Sequence, residues 1–286
     1  MSIFYIGKKI IPKQLKPFAK KLESFVYFAS AMGIDITKWK KYFSLRGAPR
    51  YMYMQHTIYE HQAYSSKYNS KKDIKNELVV GSYEEHNSWP DYDLFLMKYV
   101  DSSYKNKIAL DFACGPGRCI IKYHDRFLRI DGVDISKSNI NNAKTLIRKA
   151  GLQIPKLYVS SGDNLGRAPK NYYDFIFSTI AMQHICVYEI RFSILKNMYK
   201  SLKRGGRLSI QMAYGTDEGR HLGSVGYYDN YYNALSTNSQ HDCRVENPEQ
   251  VKSDLTSIGF KNFKFWIRPA GPGCSYENWI YFTAIK

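Results

Sequence analysis

From Lys107 onward the chain alternates short apolar runs with longer amphipathic stretches, and this alternation narrows the choice of folds more than any other feature. KIALDF, RIDGVDI, KLYVSSGD, YYDFIFST and RLSIQMA are compact apolar runs of strand length. Between them stand SKSNINNAKTLIRKAG, opened by Ser136 and closed by Gly151, and VYEIRFSILKNMYKSLKRGG, ending at Gly205. A serine before and a glycine after a periodic segment are start and stop signals of a helix. Strands separated by helices run parallel, because the helix returns the chain to the same end of the sheet. The tail departs from this pattern. VKSDLTSIGF reads as a helix ending at Gly259, and KNFKFWIRP and NWIYFTAIK follow with a short loop between them. A loop that short holds no crossover helix, so this pair is predicted to be antiparallel. The expectation is an α/β chain with a mostly parallel seven-stranded sheet and an antiparallel C-terminal hairpin.

Ligands of such sheets sit outside the carboxyl ends of the strands. Four stretches fall there. The first is Leu110-Asp111-Phe112-Ala113-Cys114-Gly115-Pro116-Gly117-Arg118, a glycine-bearing turn that lets backbone approach a ligand, followed by free N–H groups at a helix start. A dinucleotide turn would carry a third glycine where this chain has Ile120, which argues against NAD or FAD. The second is Asp134, nineteen residues beyond Gly115 and followed by Ile135, where a carboxylate can accept from both hydroxyls of a ribose. The third is Gly162-Asp163-Asn164, whose acid and amide suit the exocyclic amine of adenine and equally suit an ordinary turn. The fourth runs from Ser178 to Ile185 and contains His184, either a base for an acceptor hydroxyl or a locally bonded ring.

In this order LDFACGPGR, DGVDIS, GDN, YYDFIFSTIAMQHI and LKRGGRLSIQMA resemble the class I S-adenosylmethionine-dependent methyltransferases, with their Rossmann-like fold, over about residues 105–215. The resemblance implies S-adenosyl-L-methionine as cofactor. It implies Gly115 and Gly117 against the methionine part, Asp134 on the ribose, Asp163 by the adenine and Ser178 near the sulfonium. Asp111, Ala113, Arg118, Ile135 and Asn164 are the neighbours expected to complete that site. Ala113 stands where the family usually has its first glycine, a mild departure. His184 is the first candidate for a catalytic base, with His86, His221 and His241 behind it.

Domain organisation is expected to be simple. Residues 1–80 read as a basic helical extension or lid, and residues 81–286 as the methyltransferase domain with an acceptor-site insertion at about 214–247. Ile11, Leu15, Phe18, Leu22 and Phe25 fall on one helix face. Eleven cations against two acids give residues 1–50 a charge of +9 out of a net +17. Such a surface attracts an anionic membrane, nucleic acid or anionic glycans without choosing among them. The insertion is rich in Tyr, Asn, Ser and Gly, which suits a polar hydroxylated acceptor. O-methylation of a sugar or sugar-phosphate of a surface glycan is therefore the first expectation. An RNA methyltransferase is the runner-up, and a non-catalytic nucleotide-binding subunit the third. No metal is expected, since no compact His and carboxylate cluster stands out. A cytoplasmic location is expected, peripheral at the inner membrane face if the basic start engages lipid.

Overall fold

The computed structural model describes residues 25, 26, 28–69, 89–215, 225–233, 242–270 and 277–286. Its centre is one seven-stranded sheet of order β3-β2-β1-β4-β5-β7-β6. The strands are β1 (Ile108–Phe112), β2 (Arg129–Asp134), β3 (Leu157–Val159), β4 (Tyr173–Ser178), β5 (Leu202–Tyr214), β6 (Lys261–Pro269) and β7 (Asn278–Ile285). The first five pair in parallel, and β7 lies antiparallel between β5 and β6. This is the mostly parallel, Rossmann-like sheet with a reversed C-terminal hairpin that the apolar runs predict.

Successive residues of a strand face opposite sides of the sheet, and the core divides accordingly. Leu110 and Ile176 face one side. They pack there with α5 (Tyr188–Ser201), α6 (Pro248–Ile258) and α2 (Gly47–Asn69). Ala109, Phe175 and Phe177 face the other, against α3 (Arg118–Lys122), α4 (Lys137–Lys149) and the helical passage Tyr92–Leu96. Ser136 caps α4, accepting from Asn139 N at 3.0 Å. Gly259 closes α6 in the left-handed region.

Two elements differ from expectation. β3 stops at Val159, short of the end of the strand expected over KLYVSSGD. Ser160 Oγ donates to the Asn164 carbonyl and accepts from Gly162 N, so a turn replaces the ladder. β5 begins at Leu202 rather than near Arg207, and its register against β4 shifts between Tyr173 and Phe175.

Ahead of the sheet, α1 (Ile36–Ser44) and α2 form a helical layer. Asp35 caps α1, and Trp39 and Tyr42 are the α1 side chains that reach the core. The predicted helix face from Ile11 to Phe25 lies outside the described residues, apart from Phe25 itself. Helix α2 joins the extension to the sheet domain. Glu60 accepts from Ser136 Oγ at 2.8 Å, Ser138 N at 3.1 Å and Ser138 Oγ at 2.5 Å, and Asn142 donates to the Ala63 carbonyl at 3.2 Å. Among the described residues no helix is long and apolar enough to cross a membrane.

Candidate active site

The carboxyl ends of β1, β2 and β4 open into a cavity of about 360 Å³, within the range of small-molecule sites. Its floor is the turn after β1, from Asp111 to Gly115, with Pro116, Arg118 and Cys119. One wall holds Asp134, Ile135 and Asn139; another holds Thr179, Ile180, Ala181, His184 and Ile185. The roof is α2, through Tyr51, Met52, Gln55, Tyr59 and Gln62.

The floor turn is made by left-handed backbone. Ala113, Gly115 and Gly117 have φ of 59°, 52° and 87°. Ala113 thus carries a conformation that only glycine adopts without strain. Replacing Ala113 by glycine is expected to hold stability or raise it by up to about 1 kcal/mol, against a usual cost of roughly 0.5–1 kcal/mol for Ala→Gly within regular structure. A denaturant melt decides, and a clear loss would show the strain to be absent. Ile180, a β-branched residue at φ 48°, is a second strained position on the wall; such strain gathers at functional sites.

Asp134 is buried and its carboxylate organises the floor. Oδ2 accepts from Gly115 N at 2.9 Å. Oδ1 accepts from Ser136 N at 2.8 Å and Asn139 Nδ2 at 3.2 Å. Burial raises its pKa above the usual carboxylate value, and these three bonds oppose that. A carboxylate has about four lone-pair directions. Three are taken, so this geometry leaves room for one further donor on Oδ2, whereas the sequence reading allowed two. Asp111 is 2% exposed. Burial pushes its pKa well up, and the Arg118 guanidinium opposes.

His184 sits on the wall with its side chain 26% exposed. Its Nδ1 lies 2.7 Å from Oδ1 of Asp242, which is 1% exposed. A carboxylate accepts, so Nδ1 carries the proton and Nε2 is the basic nitrogen. Burial lowers the pKa of the ring. The Asp242 charge and hydrogen bond, with the Ile180 carbonyl, outweigh it, and the pKa stands above the usual histidine value. Asp242 belongs to the 214–247 insertion and is held in register because Cys243 N donates to the Gln183 carbonyl at 2.7 Å. The buried Arg191 of α5 donates to the Ile185 and Tyr227 carbonyls, tying the insertion to the turn after β4. Tyr51 Oη of α2 donates to the His184 carbonyl and accepts from Cys186 N.

The cavity therefore gathers Asp111, Ala113, Gly115, Arg118, Asp134, Ile135 and His184 from the predicted set. It does not gather Gly117, Asp163, Asn164 or Ser178. Gly117 lies beneath the turn, where a Cβ would meet Ile147 Cδ1 at 3.3 Å. Ser178 is fully buried and its Oγ donates to the Phe112 carbonyl at 3.1 Å, joining β4 to β1. Asp163 and Asn164 bond each other, and Asn164 Oδ1 accepts from Gly166 N, so the acid and amide serve their own turn. Gly162 of that turn does reach the cavity, and a Cβ there would stand 3.0 Å from Met52 Cγ of the roof. Asp242, Tyr51 and Glu60 are the residues the sequence reading missed. His86, His221 and His241 lie outside the described residues.

Residues 109–206 match the family model described as a methyltransferase domain. The strand order and the glycine-bearing turn at the switch point agree with that match. Residues 109–206, about a third of the chain, are similar to a methyltransferase domain. Solved structures agree on the fold. Phosphoethanolamine N-methyltransferase 2 of Haemonchus contortus superposes with a TM-score of 0.55 at 16% identity. The match covers 80% of this chain, which spans 60% of that enzyme's length. An S-adenosylmethionine-dependent methyltransferase from Clostridium acetobutylicum gives 0.54 at 18% identity, covering 77% of this chain and 99% of that one. The 4+2 cyclase SpnF gives 0.52 at 16% identity, covering 69% and 80%, so the fold alone does not name a reaction.

The residues that line the cavity have groups that fit S-adenosylmethionine. Asp134 can accept a ribose hydroxyl. Asp111 and Arg118 can face the ammonium and carboxylate of the methionine part. The buried Asp111 carboxylate gains from any cation placed beside it. The roof adds Glu60, which grips the start of α4 two residues beyond Asp134. Glu60→Ala is expected to weaken binding of S-adenosylhomocysteine about tenfold by calorimetry, by loosening α2. An unchanged Kd would mean that the roof contributes nothing to cofactor binding.

Proposed function

We propose that the chain methylates a hydroxyl of a small polar acceptor, with a sugar or sugar-phosphate as the leading class. The observation that carries this reading is the His184–Asp242 pair on the cavity wall. S-adenosylmethionine, when bound, supplies a methyl group already activated by positive sulfur. What remains for the protein is alignment, exclusion of water and removal of the acceptor's proton. The floor turn and Asp134 hold the nucleoside side. Tyr51, Met52, Tyr59 and Ile185 keep water out. His184 Nε2 takes the hydroxyl proton while Asp242 stabilises the imidazolium that results, and methyl transfer leaves S-adenosylhomocysteine and an ether.

The acceptor class rests on the lining. Gln55, Gln62, Tyr59 and Thr179 are neutral polar groups of the lining, and Arg118 on the floor is the lysine or arginine among its described residues. Phosphate backbones are held by several such cations. The lining therefore favours a compact hydroxylated acceptor over RNA. The described part of the insertion contributes Asp242 behind His184 rather than a Tyr-rich wall of its own.

The test is formation of S-adenosylhomocysteine by the full chain, supplied with S-adenosylmethionine and a panel of sugars, nucleotide sugars, small phenols and RNA oligonucleotides. Turnover on a sugar or nucleotide sugar, with the methyl group on oxygen, is the expected result. Turnover on RNA alone, or methylation at nitrogen, would overturn the acceptor assignment. Tight cofactor binding with no turnover on any member would favour a binding subunit or a non-methylating enzyme.

A further inference from the structure

Helix α1 is at odds with the rest of the molecule. Helices of a folded domain bury one face, yet none of the nine residues of α1 is buried. The apolar side chains of this region point outward. Ile34 is 100% exposed, and Ile36 and Phe43 are each 69% exposed. Phe25 and Val26 are exposed as well. Ile36, Lys40 and Phe43 fall at i, i+4 and i+7, on one face of α1, and Ile34 stands at its start. The adjoining face, whose Trp39 and Tyr42 rings also contact Phe43, fixes the helix to the protein. Trp39 Nε1 donates to the Gly33 carbonyl at 2.9 Å, Tyr53 Oη to the Lys38 carbonyl, and Arg50 lies over the Tyr42 ring. The exposed face is thus held rigidly outward.

Among the described residues the charge around it is mainly positive. Lys38, Lys40, Lys41 and Arg46 border the patch, with Asp35 as the acid. Asp35 is occupied as the α1 cap, accepting from Thr37 N and Thr37 Oγ1. Exposed isoleucines ringed by lysines gain little from a nucleic acid, which rewards aromatic stacking and arginine. They gain from hydrocarbon beneath anionic headgroups.

We propose that α1 and the Gly33–Ile34 turn dock on an anionic membrane surface, with Ile34, Ile36 and Phe43 entering the headgroup boundary and the lysines meeting lipid phosphates. Helix α1 lies across α2 from the cavity, since Arg50 and Tyr53 stand on the opposite side of α2 from Tyr59 and Gln62. Docking there leaves the cavity roof attached to the membrane-bound helix. The proposal is independent of the acceptor reading.

Co-sedimentation of the full chain with vesicles tests it. Vesicles of phosphatidylglycerol and phosphatidylcholine are expected to bind the protein at least tenfold more strongly than pure phosphatidylcholine, and salt is expected to weaken binding. The double variant Ile34→Asp, Phe43→Asp is expected to lose about tenfold or more. Lys40→Glu is expected to lose about fivefold or more, in line with the contribution of one lysine near a charged surface. Affinity for S-adenosylhomocysteine stays unchanged in both. Equal vesicle binding by wild type and the double variant overturns the proposal. So does a drop in Tm of the double variant without vesicle binding by wild type, which would mean that the chain's own N-terminal residues cover the patch. A dimer that the double variant dissociates, with no vesicle binding, overturns it in favour of self-association.

Discussion

Replacing His184 by alanine is expected to lower kcat by about 10²–10⁴, the span of general-base catalysis, with the Kd for S-adenosylhomocysteine changed by no more than about threefold. Under the proposed function the two readouts separate, because His184 lines a different wall of the cavity from the floor turn and Asp134. Asp242→Asn is the sharper variant. It keeps the shape of the side chain and removes the charge that holds the Nδ1 proton. In the wild type, activity rises with pH as His184 loses its proton, with the inflection above the ordinary histidine value of about 6.5. Without the Asp242 charge, burial acts largely alone, so the inflection of the variant moves to lower pH while the maximal rate falls. Stability follows the same linkage. A raised histidine pKa stabilises the fold fully below about pH 6.5, and that stabilisation is lost as pH rises through the folded value. The Tm advantage of wild type over Asp242→Asn is therefore expected to be larger at pH 5–6 than at pH 9. An Asp242→Asn profile that overlays the wild type would remove the pair from the mechanism.

Legibility in the sequence divides along contact distance. The central parallel strands are buried on both faces and read as apolar runs, and helix start and stop signals lie between them, so the parallel strands and the reversed hairpin follow from local signals. The floor turn is legible for the same reason: Asp111 through Arg118 is one continuous stretch whose chemistry is local. Asp242 is not. It meets His184 across 58 positions, through a backbone bond between Cys243 and Gln183 that no periodicity encodes. The available clue was an acid beside Cys243 in a segment too long for a plain connection. Glu60 meets Ser136 across 76 positions, and Tyr51 meets the His184 carbonyl across 133. Both sit in a helical pattern where nothing marks one polar residue above another. Asp163 and Asn164 show the converse. Their composition suited adenine or a turn, and the hydrogen bonds of this structure use them in the turn.

Asp134→Asn is expected to remove cofactor binding by about 100-fold and to destabilise the fold by about 2–4 kcal/mol, more than an isosteric change usually costs. The reason lies in the donors around the carboxylate. Gly115 N points at Oδ2, and Ser136 N with Asn139 Nδ2 points at Oδ1. An amide has one acceptor and one donor end. Turned one way, its NH₂ faces Gly115 N and releases the floor turn. Turned the other way, it faces Ser136 N and Asn139 Nδ2 and releases the start of α4. Either orientation strands at least one buried N–H at about 1–3 kcal/mol and sets donor against donor. The acceptor for the ribose hydroxyl is weakened at the same time, because a charged acceptor forms the stronger bond. Binding and stability should therefore fall together, and Ala113→Gly should not rescue either, since it relaxes the turn without restoring an acceptor. Calorimetry with S-adenosylhomocysteine and a urea melt of the same preparation give both quantities. A stable Asp134→Asn protein that still binds the nucleoside as wild type does would show that the carboxylate is not what holds it.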